Sequence, residues 1–124
     1  MILVIDDDHN GERLPQFHRW FGEPQVLHVT TAQEGYDRLA NPKLLDAVFL
    51  DHDLGEKPGD MTMMQLADKI VAEGLQPGAH FIVHSMNPVG AQAMQRSLKK
   101  THQIDICPMK TLAEKLNKGK PCQK

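Results

Sequence analysis

The sequence holds only two cysteines, Cys107 and Cys122, so a disulfide scaffold is excluded and a cytosolic protein is expected. Long apolar runs are missing. The longest clean one is Met1–Ile5, far short of the roughly 20 residues a membrane span needs. No basic segment followed by an apolar stretch opens the chain, so no secretory signal is read. Aromatic residues are scarce, at 5%, and none is interleaved among the basic residues near one end, which argues against a general duplex-DNA binder. There is no glycine-rich phosphate loop with a lysine, no internal repeat and no linker.

What is present suits one folded domain. The 124 residues are 40% hydrophobic and 24% charged, ordinary values for a globular chain large enough to fold without staples. The formal charge of −2 hides an asymmetry. Residues 1–95 carry 6 basic and 14 acidic side chains, and residues 96–124 carry 8 basic and 2 acidic. The basic end reads first as a solvated last helix and tail, and second as an anchor for a phosphate-bearing partner. The expected division is a domain over 1–118 and a flexible basic tail over 119–124.

Hydrophobic patterning predicts strict alternation of strands and helices. Strands are expected at Met1–Ile5, Gln25–Thr30, Ala47–Leu50, His80–His84 and Gln103–Cys107. A first helix is expected near Pro15, with Leu14, Phe17, Trp20 and Phe21 on its apolar face. Thr31 and Glu34 form a capping box for a second helix, to about Ala40. A third runs from about Met61 to Glu73, and a fourth from Asn87-Pro88 to about Lys100. Thr111 and Glu114 cap a last one, ending near Asn117. Such alternation predicts an α/β fold, a parallel sheet with helices on both faces. Sites in such sheets lie beyond the carboxyl ends of the strands.

Acids gather at those ends. Asp6, Asp7 and Asp8 follow strand one, Asp51 and Asp53 follow strand three, and His84, Ser85 and Asn87 follow strand four. If strands one, three and four are neighbours, these groups converge. Converging carboxylates with little local arginine or lysine call for a cation, and an oxygen-rich set suits Mg2+ or Mn2+. One acid alone would read as a solvated loop residue or helix cap. Side-chain alternation puts Asp51 and Asp53 on one side with His52 on the other, and sets His84 and Ser85 apart. Both histidines therefore cannot be assumed to face the cation. Each reads either as a packing residue or, flanking one pocket, as an acid/base group. Ser85 and the free N–H groups after Asn87 would bind a phosphate oxygen. Cys107 has no motif partner and reads as a buried structural cysteine.

The segments Ile-Leu-Val-Ile-Asp6-Asp7-Asp8, Asp46-Ala-Val-Phe-Leu-Asp51 and Phe-Ile-Val-His-Ser85 resemble response-regulator receiver domains over nearly the whole chain. The resemblance implies a flavodoxin-like, three-layer α/β/α fold with five parallel strands in the order 2-1-3-4-5. It further implies that Asp6 and Asp7 are the acidic pair, Asp51 the phosphate-accepting aspartate and Ser85 the conserved Ser/Thr. The residue at position 53, Asp53, would give its backbone carbonyl to the metal. Departures are specific. The lysine-proline after strand five reads Cys107-Pro108, with Lys110 three positions later as the candidate phosphate-binding replacement. The combination Leu-Asp-His-Asp-Leu-Gly with His-Ser-Met-Asn-Pro looks most like the cyclic-phosphate-processing receiver group, which is proposed to act on cyclic phosphate ends in RNA repair and in phage and bacterial conflict systems.

Three functions follow as expectations. The first is a metal-dependent phosphoesterase opening a cyclic phosphate on an RNA end or nucleotide, with Asp6, Asp7, Asp51 and Asp53 around the metal. Asp51, His52 and His84 would be its catalytic residues, and Ser85, Asn87 and Lys110 would bind phosphate. Direct water attack and transient phosphorylation of Asp51 both fit that scheme. The second is a single-domain receiver phosphorylated on Asp51. The third is a non-catalytic binder of a nucleotide or a protein partner.

Overall fold

The computed structural model describes residues 1–6, 26–41, 43–51, 58–84 and 88–107. The helices expected near Pro15 and after Thr111 lie outside the described residues. Five strands are described: β1 (Ile2–Ile5), β2 (Val26–Val29), β3 (Ala47–Asp51), β4 (His80–His84) and β5 (Gln103–Ile106). Between them run α1 (Ala32–Leu39), α2 (Met63–Glu73) and α3 (Pro88–Leu98). The strands form one parallel sheet in the order β2-β1-β3-β4-β5. All five expected strands are present. β3 and β4 end on Asp51 and His84, so these polar residues belong to the ladder itself and not to the loops.

Alternation along the central strands sorts the core. Leu3, Ile5, Val48, Leu50, Phe81 and Val83 share a buried cluster with Leu39, Met63, Leu66, Ile70, Met94 and Leu98 of the three helices. The intervening residues Ile2, Val4, Phe49 and Ile82 face the other way and are buried as well. Burial on both faces explains why β1 and β3 read as continuous apolar runs. Helices α1 and α3 both pack against α2. At Gly35 in α1 an added Cβ would stand 2.5 Å from Cδ1 of Ile5, so a side chain there would force the buried Ile5 to shift.

Local capping chemistry sets the helix boundaries. At α1 the Thr31 hydroxyl oxygen accepts from the Glu34 N–H at 3.1 Å, and the Glu34 carboxylate accepts from the Thr31 and Thr30 hydroxyls. At α2 the box is reciprocal: Thr62 Oγ1 accepts from Gln65 N–H at 3.1 Å, and Gln65 Oε1 accepts from Thr62 N–H at 2.8 Å. Gly74 closes α2 in the left-handed conformation, φ 61°. Gln76, at φ 49°, follows with its side chain buried under the segment between α1 and β3. Its amide accepts from Leu45 N–H at 2.9 Å and donates toward the carbonyls of Leu39, Asn41 and Lys43 at 3.0–3.3 Å. One side chain thereby supplies partners to four backbone groups of a connection that has no ladder of its own. No helix among the described residues is long and apolar enough to cross a membrane.

Candidate functional site

Strand register builds the site. Ile5 lies opposite Val29 and Leu50, Leu50 opposite Val83, and Val83 opposite Ile106. One residue further toward the carboxyl ends, the same row reads Asp6, Asp51, His84 and Cys107. The pairing of Asp51 with His84 continues the β3–β4 ladder. The Asp6 N–H donates to Val29 O at 3.1 Å, and the Cys107 N–H donates to Val83 O at 2.8 Å. Because side chains alternate, the neighbours Ile5, Leu50 and Val83 go to the helix-packed core while Asp6, Asp51 and His84 share the other side.

Three of these side chains are buried together. Asp6 is 1% exposed, Asp51 5% and His84 0%. His84 Nε2 lies 3.0 Å from Asp6 Oδ2. One donor atom from each of Asp6, Asp51 and His84 falls within 4.8 Å of the others. The Phe49 ring packs at a tilt against the His84 imidazole, with centroids 6.2 Å apart. Asp6 is also gripped through its backbone, where the ring N–H of His28 donates to its carbonyl at 2.7 Å. Carboxylate, carbonyl and N–H of Asp6 are thus all engaged, which holds its side chain in one place on the edge of the sheet.

The donor set fits a divalent cation. Two carboxylates within this distance repel by about 3 kcal/mol at an effective dielectric near 20, and a dication between them reverses the sign. Carboxylate oxygens and an imidazole nitrogen are ligands of divalent ions such as Mn2+, and carboxylates also serve Mg2+. Three protein donors are fewer than a six-coordinate ion takes, so water and a phosphate oxygen would complete the set.

Of the residues singled out in the sequence, Asp6, Asp51 and His84 are brought together. Asp7, His52, Asp53, Ser85, Asn87 and Lys110 lie outside the described residues. Sequence reasoning placed His84 as an acid/base group or a packing residue. It did not place His84 among the metal-ligating donors, because the strand register that sets it beside Asp51 is not written in the sequence. His28 was missed as well. Its signal was a polar ring inside the otherwise apolar Val-Leu-His-Val of β2. Cys107 is 5% exposed, so its reading as a buried structural cysteine agrees with its burial.

Several solved structures share this architecture. The receiver domain of NtrX from Brucella abortus matches with a TM-score of 0.67 and 16% identity, covering 94% of this chain and 92% of that one. A response regulator from Thermotoga maritima matches at TM-score 0.56 and 18% identity, covering 95% and 94%. A response regulator from Burkholderia pseudomallei, solved with a phosphorylated aspartic acid, a calcium ion and citrate, matches at 0.61 and 16%, covering 94% and 68%. At these identities the likeness establishes the flavodoxin-like receiver fold and nothing finer. No curated protein matches the chain. The model of one protein family, the cyclic-phosphate processing receiver domain, matches residues 1–100. With a match over most of its length, the expected strand order and the buried acids at the expected strand ends, this chain belongs to the cyclic-phosphate processing receiver domain family.

Proposed function

We propose that the row Asp6–Asp51–His84 is a divalent-cation site for phosphate chemistry, and that the chain is an atypical receiver domain in which Asp51 accepts a phosphoryl group. One observation carries this reading: Asp51, buried at the last position of β3, stands beside Asp6 in a set of donors close enough to share one ion. Asp6, Asp51 and His84 would hold the cation, with Asp7 and the Asp53 carbonyl as further ligands by resemblance. When bound, the cation neutralises charge on the transferring phosphate. The Asp51 carboxylate would attack phosphorus of a small phosphodonor, the bond from phosphorus to the leaving group would break, and an acyl phosphate would form on Asp51. Ser85 and the N–H groups after Asn87 would bind the phosphoryl oxygens, and Lys110 would stand in for the receiver lysine.

A second reading is favoured by the description of the family itself and by a histidine within the site. The same residues would then serve a phosphoesterase that opens a cyclic phosphate on an RNA end or nucleotide. Water attacks phosphorus, one ring P–O bond breaks, and the departing alkoxide takes a proton from His52.

Phosphorus NMR of the full chain with MnCl2 or MgCl2 separates these readings. With acetyl phosphate, an acyl-phosphate resonance on the wild-type protein that vanishes in Asp51→Asn supports the receiver. With a panel of cyclic phosphates, conversion to a monoester that is lost with EDTA and in Asp51→Asn supports the phosphoesterase. Absence of both signals in the wild-type protein overturns both readings and turns attention to partner binding.

A further inference from the structure

The acids at the strand ends account for a receiver-type cation site, but His84 changes its chemistry. We propose that His84 is a protein ligand of the cation through Nε2, and that the site consequently takes Mn2+ or a neighbouring first-row ion in preference to Mg2+. This rests on the cation reading of the site and on neither of the two phosphate readings.

Geometry comes first. Two donors at right angles on an ion with bonds of about 2.1 Å are about 3.0 Å apart, and two opposite donors about 4.2 Å apart. The separation of His84 Nε2 from Asp6 Oδ2 is 3.0 Å, and all three donors lie within 4.8 Å of one another. The outer limit of 4.8 Å exceeds the 4.2 Å span of opposite donors by about 0.6 Å, so one ion reaches all three once the side chains draw in by about that much.

Placement comes second. His84 is fully buried, paired with Asp51 in the β3–β4 ladder and packed against Phe49. Its backbone is fixed by the sheet, so presenting the imidazole to an ion costs little additional ordering. An imidazole held in this way is a fixed member of the site, and a passing water does not replace it.

Donor chemistry decides the preference. Mg2+ is hard, favours oxygen and gives up water reluctantly. Imidazole nitrogen suits the first-row transition ions, whose affinities rise from Mn2+ toward Cu2+. Two carboxylates and one imidazole on one side form a mixed set that retains Mn2+ better than Mg2+, with the remaining positions free for water and phosphate. A contact in which His84 only donates a hydrogen bond to Asp6 has the same 3.0 Å separation. That alternative predicts no nitrogen on the ion.

The deciding experiment reads the ligand directly. The full chain, loaded with less than one equivalent of Mn2+, is examined by pulsed electron paramagnetic resonance for nitrogen coupling to the ion. Titration calorimetry with MnCl2 and MgCl2 is run on wild-type, His84→Gln and His80→Gln proteins. The expected result is a directly bound nitrogen and Mn2+ binding at least about 10-fold tighter than Mg2+. In His84→Gln the coupling disappears and Mn2+ affinity falls by about 10-fold or more, while Mg2+ affinity changes by less than about 3-fold. His80→Gln leaves both unchanged. Tight Mn2+ binding without nitrogen coupling, or an unaltered Mn2+ to Mg2+ ratio in His84→Gln, overturns the proposal while leaving the cation site standing. Failure of the wild-type chain to bind either ion overturns the cation reading as well. The spectrum of the wild-type protein needs no variant to fold, and neither measurement depends on turnover.

Discussion

Strand β4 carries two histidine–aspartate contacts on the same face, four residues apart, and they differ in almost everything except chemistry. His80 Nε2 meets Asp105 Oδ2 at 2.6 Å, with side chains 14% and 65% exposed. His84 Nε2 meets Asp6 Oδ2 at 3.0 Å, with side chains 0% and 1% exposed. Distance alone would rank the first as stronger. Burial reverses that order, because an exposed pair is screened and exchanges its partners with water, whereas a buried one has no such substitute. The first contact decorates the β4–β5 edge. The second joins the ends of strands that are not neighbours, β1 and β4, across the end of β3. Its members sit where desolvation is costly, which fits a place kept for a ligand more than a place chosen for stability.

The largest test of this contrast is chemical. Asp51→Asn keeps the shape of the row and removes one carboxylate, and it is expected to abolish phosphoryl acceptance or phosphate-ester turnover, read by phosphorus NMR. The corresponding change at the exposed contact, Asp105→Asn, is expected to leave either activity at the wild-type level. A sharper thermodynamic form uses the ion-free chain. His84→Leu takes the imidazole away from a buried carboxylate and is expected to cost about 3 kcal/mol or more in urea unfolding. His80→Leu is expected to cost less than about 1 kcal/mol. Equal costs would break the comparison.

Ligand linkage offers the next test. Mn2+ at about 100 times its Kd is expected to add about 2.7 kcal/mol and to raise Tm by about 10 °C, an effect removed by EDTA and by Asp6→Asn but retained in Asp105→Asn. The contrast between buried and exposed polar contacts extends to two glutamine and tyrosine contacts elsewhere. Gln76→Ala leaves four backbone groups without their side-chain partner and is expected to cost about 2–3 kcal/mol. Gln76→Gly loses the same bonds but relieves the positive φ, and is expected to recover about 1 kcal/mol of that loss.

The smallest effect belongs to Tyr36, a half-buried side chain whose exposed hydroxyl donates to the Glu73 carboxylate at 2.7 Å. That hydrogen bond raises the tyrosine above its ordinary value of 10.0, with desolvation and the neighbouring carboxylate charges adding to the rise. The neutral hydroxyl is the favoured form in the folded chain. Its stabilising contribution is therefore full below pH 10.0 and disappears as pH climbs through the higher folded value. Tyr36 is the single tyrosine of the chain, so its tyrosinate absorbance is unambiguous. In Glu73→Ala the titration is expected to move back down toward 10.0.

The strands and the described helices were legible because each is written locally. Ile2–Ile5 and Ala47–Leu50 are β-branched and aromatic runs suited to a sheet buried on both faces, and Thr31 with Glu34 announces a helix start. The box at Thr62 and Gln65 is equally local, although the apolar pattern alone places the helix start at about Met61. Gln76 was not legible. Its function is to satisfy backbone groups more than thirty residues away, and nothing in the neighbouring sequence marks them.

By itself, then, the sequence determined the alternating order of elements, the parallel sheet and the fact that acids and a histidine end three of its strands, since these depend on residue type and short-range period. Tertiary structure alone decided that Asp6, Asp51 and His84 fall in one row on one side of the sheet, because that depends on strand order and register. A slip of one residue in either ladder would turn His84 away from Asp51, and the same three side chains would no longer share a site.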